Sequence, residues 1–167
     1  EGSALNGWQN GAGEGALLLV VKGGAAGGDG IVLTNAGGIL DMYGLPEKAI
    51  PILRTVISYN ANNAIALNNL GQAYTSLGLI DSAMYYFSRC LSLSPQHPEA
   101  NNTAGHIELK KGDKTKAQAY FENSLRGGFN LSAYTALATI FKDDKSKLKI
   151  AALIKPKVKY PEYFNQF

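Results

Sequence analysis

A period of 34 residues constrains this chain more than any other feature. Laid above residues 98–131, residues 64–97 put Gly71 on Gly105, Gly78 on Gly112, Ala83 on Ala117, Phe87 on Phe121 and Leu91 on Leu125. One interval back, residues 30–63 fill the same columns with Gly37, Gly44, Ala49, Leu53 and Ile57. A fixed interval of this length, kept without insertion or deletion, is the mark of a stacked structural repeat.

Each column has a physical reading. Leu67, Leu70 and Tyr74 stand at i, i+3 and i+7 and define one face of a first helix, A. Ile80, Ala83, Met84, Phe87 and Leu91 give the facing stripe of a second helix, B. Gly71 and Ala83 are small, so two antiparallel helices can approach closely while Phe87 fills the space beside them. Gly78 falls where helix A must close with positive φ. Asp81 is the expected N-cap of helix B, and Pro95 stops that helix. The expected fold is all-α: an α-solenoid of stacked antiparallel helix hairpins, with repeats at 30–63, 64–97 and 98–131. Cys90 occupies a helix-B column shared with Val56 and Ser124, which suits a packed thiol.

The two ends differ. Twelve of the 19 glycines lie in the first 38 positions. Residues 1–29 are expected to form an irregular, glycine-rich hairpin in which "EGALLLVVKG" takes the place of a preceding helix B, with Gly15 and Leu19 in register. "GAGEGA" fits a loose dinucleotide-binding pattern but follows no strand, so it carries no such meaning. Residues 132–154 are expected to form a degenerate capping hairpin, entered through Asn130 as a cap, and residues 155–167 an extended tail. Seven Lys against two Asp fall within residues 142–159, although the net charge of the 167-residue chain is only +3. The aliphatic run from Ala16 to Val21 is far shorter than the ~18 residues a membrane span needs. The chain is therefore expected to be soluble, and without an initiator Met it reads as a processed or partial product.

The unit at 64–97 resembles the tetratricopeptide repeat, a helix–turn–helix module, through Leu67, Leu70, Gly71, Tyr74, Gly78, Ala83, Phe87 and Pro95. The unit at 98–131 keeps Gly105, Gly112, Ala117 and Phe121. It departs at Asn101, Ala104 and Glu108, and lacks the closing proline. The unit at 30–63 has Ala36, Leu40 and Leu53 as stand-ins and Ala61 for the proline. This resemblance implies a superhelix whose concave side, lined by helix A, binds protein or peptide. On the matching columns Asn68 and Asn102 are one repeat apart, as are Gln72 and His106, with Thr34 and Gly38 as their counterparts in the earlier unit. Spaced amides of this kind can read the backbone of an extended segment, and Lys110 would add a charge. The resemblance also argues against the chaperone-tail clamp of this family. Its cation columns hold Thr34 or Asn68, Glu99 or Ala133, and Thr103 or Leu137, while an isolated Asn69 matches.

Catalysis has no foothold in the sequence. His97 and His106 lack partners at ligand spacing, so no metal is expected. No nucleophile elbow or phosphate-binding loop occurs, and no cofactor is implied. The expected role is a non-enzymatic scaffold or adaptor within a larger protein assembly. The alternative is weak polyanion or nucleic-acid binding by the tail, where Lys155, Lys157 and Lys159 alternate before Tyr160, Tyr163 and Phe164; a solvated basic cap explains that pattern more simply.

Overall fold

The computed structural model describes residues 30–141, and every regular element among them is an α-helix. The chain divides into two compact units that meet between Ser94 and Pro95. The first holds α1 (Gly30–Met42), α2 (Pro46–Tyr59), α3 (Ala64–Ser76) and α4 (Ile80–Leu93). The second holds α5 (Pro98–Lys110), α6 (Lys114–Gly127) and α7 (Leu131–Ile140). The glycine-rich residues 1–29, the lysine-rich residues 142–159 and the aromatic tail to residue 167 lie outside the described residues.

Each A-to-B turn closes in the same way. Gly44, Gly78 and Gly112 have φ of 74°, 73° and 90°, and no other described residue lies in the left-handed region. At Gly78, its own N–H donates to Thr75 O and the Leu79 N–H to Tyr74 O. The equivalent pairs are Gly44 to Asp41 with Leu45 to Leu40, and Gly112 to Leu109 with Asp113 to Glu108. These bonds satisfy carbonyls that the end of a helix would otherwise leave bare. A side chain at the glycine would pay for the left-handed backbone, which explains the column.

A second glycine column makes the helix pairs nest. A Cβ built on Gly71 would run into the ring of Phe87, and one on Gly105 would stand 2.7 Å from Phe121 Cε1. On Gly37 it would stand 2.5 Å from Leu53 Cγ. The large side chain of helix B thus occupies the place where helix A has none, and does not merely fill space beside it. Ala49, Ala83 and Ala117 are fully buried on the B helices, as are Leu53, Phe87 and Phe121. Burying each such large side chain contributes about 1.5–3 kcal/mol. In the first unit, Leu33, Leu53 and Val56 form one core with Ala66, Leu70 and Ala73, so α3 packs on the hairpin before it. In the second, Phe121 and Leu125 pack with Ala133, Ala136 and Leu137 of α7.

One local expectation needs correction, and one departure from the repeat is explained. Asp81 does not cap α4: Leu79 stands at that position, the helix begins at Ile80, and Asp81 lies in its first turn. There its charge still faces the positive end of the helix. Asn101 departs from Leu67 in sequence yet is as buried as the leucine column requires, at 1% exposed. Its Nδ2 donates to Pro95 O at 3.0 Å and His97 O at 2.9 Å, which compensates for its burial.

Candidate functional site

The helix-A face of the first unit is built from α1 and α3. Thr34 is buried; its hydroxyl donates to Gly30 O at 2.6 Å and accepts from Asn63 Nδ2 at 3.2 Å. Asn69 Nδ2 donates to Thr34 O at 3.1 Å, and this reach needs the bare backbone at Gly38, where a Cβ would stand 2.8 Å from that nitrogen. Asn69 Oδ1 accepts from Asn68 Nδ2 at 3.2 Å. Asn69 therefore ties α3 to α1, and its amide is used inside the unit. Asn68 is only 7% exposed, and its Oδ1 is shielded with no hydrogen-bond partner. Gln72, one turn further along the same face, is half-buried and already engaged.

Asp41 also belongs to this face and has no signature in the repeat. It follows Thr34 at i+7, and its Oδ1 is likewise shielded and without a partner. Asp41 is the single charged residue on α1 or α3. That isolation is legible in the sequence, but the missing partner is not.

In the second unit, Asn102, His106 and Lys110 follow one another at i, i+4 and i+8 on one face of α5. Asn102 Oδ1 repeats the condition of Asn68: shielded, with no partner. His106 Nε2 lies 2.8 Å from Ser132 Oγ of α7, and its ring meets Phe121 edge-on at 4.9 Å. Partial burial pushes its imidazole pKa below the ordinary value. Lys110 is exposed in the last turn of α5, where a cation is favoured by the helix dipole.

His97 serves structure. Its Nδ1 accepts from the Ala100 N–H at 3.4 Å and caps α5. Burial lowers its pKa, partly opposed by the Glu99 carboxylate 3.3 Å away. Cys90 is a buried thiol. Among the described residues, no three His, Cys, Asp or Glu side chains gather as a metal would require. No described helix is long and apolar enough to cross a membrane.

Hairpins closed by a left-handed glycine and nested by glycine beneath a large side chain define an all-α solenoid of antiparallel helix pairs. Residues 64–97 match the family model "Tetratricopeptide repeat", and residues 98–126 match a second model of the same description. Residues 64–126 are therefore tetratricopeptide repeats. Among solved structures, the crystal structure of MamA is 19% identical, with a TM-score of 0.62, covering 89% of this chain and 88% of that one. The Sgt2 TPR domain from Aspergillus fumigatus is 20% identical, with a TM-score of 0.61, covering 80% of this chain and 89% of that one. At these identities the likeness is one of fold. No curated protein matches the chain significantly.

Proposed function

We propose that this protein works by binding and not by catalysis, as an interaction scaffold whose helix-A faces take an extended segment of a protein partner. The observation that carries this reading is one column. Asn68 in the first unit and Asn102 in the second each hold a carbonyl oxygen shielded from water and without a partner. An unpaired buried acceptor costs about 1–3 kcal/mol, and a small rotation of the amide would turn each toward an arriving backbone N–H. Gln72, His106 and Lys110 border these oxygens on the same helix faces and supply further polar contacts. Each unit presents its own face.

The test is affinity capture from the native cell extract with the parent chain and an Asn68→Ala, Asn102→Ala double variant whose thermal melt matches the parent. Loss of about 1 kcal/mol at each position predicts at least a tenfold fall in recovery of the parent's specific partners. An identical set of partners in identical amounts would refute the assignment.

A further inference from the structure

The first unit's face is specific about the kind of group it accepts. Thr34 and Asn69 are satisfied within the unit, while the two shielded polar atoms left without partners on α1 and α3 are both acceptors: Asn68 Oδ1 and Asp41 Oδ1. One belongs to a nine-tenths buried amide, the other to the only charge on these two helices. A carboxylate oxygen held out of water without a donor is more costly than a neutral carbonyl in the same state. A ligand that brings a cation relieves that cost; one that brings an anion adds to it.

We infer that the α1–α3 face binds an extended peptide segment bearing a lysine or arginine, with the cation on Asp41 and a backbone N–H on Asn68. This rests on the groove reading above and names its partner's chemistry. Asn69, adjacent to Asn68, bonds Thr34 O, so Asn68 stands near the level of Thr34 on α1. Asp41 is two helical turns beyond Thr34, about 10 Å along the axis. An extended chain advances about 3.3 Å per residue, so the cation belongs about three residues from the N–H that Asn68 accepts. Charge complementarity selects this occupant, since α1 and α3 present no cation to hold an acidic segment.

The test is to pan a random-peptide display library against the full chain, then measure the enriched peptides against Asp41→Asn, Asn68→Ala and Asp81→Asn variants. Asp81 is an exposed acid on α4 and serves as the charge control. Support is enrichment of lysine- or arginine-bearing peptides whose affinity falls about tenfold or more with Asp41→Asn and is unchanged with Asp81→Asn. Enriched peptides without a cation that lose affinity with Asn68→Ala would overturn this inference and leave the groove reading standing. Cationic peptides held equally by Asp41→Asn would also overturn it. Failure to enrich any peptide would overturn both.

Discussion

Gly71 does its work through the atom it lacks. The ring of Phe87 sits where its Cβ would be, so this residue determines how closely α3 and α4 can lie. Gly78 acts differently: open space surrounds it, and what it supplies is a backbone at φ 73°. Replacing Gly78 with Ala is therefore expected to cost about 1 kcal/mol through left-handed strain alone, read as a lowered urea midpoint with unchanged m-value. The sequence showed these glycines plainly, because a repeated small residue at a helical position has few other uses. Asn101 was harder to read. Its partners are two upstream carbonyls, and nothing in the spacing of side chains reveals a backbone acceptor. Asp41 was missed for a related reason: a lone acid between apolar residues looks solvated until its oxygen is found shielded.

The helices were legible from their stripes, but their first turns only in part. Asn63, His97 and Asn130 cap α3, α5 and α7, accepting from the N–H of Ala66, Ala100 and Ala133. Asn130 was recognisable from its residue type, whereas His97 was not. A histidine cap needs an unprotonated Nδ1, which ties α5 to pH. Burial lowers the folded-state pKa of His97, with Glu99 opposing in part. The stabilisation is therefore complete above the unfolded value of about 6.5 and is lost as pH falls through the lowered folded value. His106 is shifted in the same direction by burial. Thermal melts of the parent between pH 8 and pH 5 are expected to fall toward acid. His97→Asn, which caps without titrating, is expected to flatten part of that slope and leave the part due to His106. An unchanged slope would separate His97 from the effect.

At the scale of the molecule, one contact is repeated in three hairpins: Gly37 with Leu53, Gly71 with Phe87 and Gly105 with Phe121. The repeat period is this contact, recurring because each hairpin nests in the same way. The polar face is then a consequence of the fold: helix B takes the apolar side of helix A and leaves Asn68 and Asn102 on the other. The architecture was readable because packing repeats; the proposed binding preference was less so because it depends on which oxygens find donors. The central claim is tested most directly by a double-mutant cycle in the full chain, with Gly71→Ala, Phe87→Ala and the pair compared by urea unfolding. Gly71→Ala is expected to cost about 1–3 kcal/mol beneath the phenylalanine ring and almost nothing once alanine has emptied that space, a coupling above about 1 kcal/mol. Costs that simply add, to within about 0.5 kcal/mol, would mean that the glycine and the ring do not share that space.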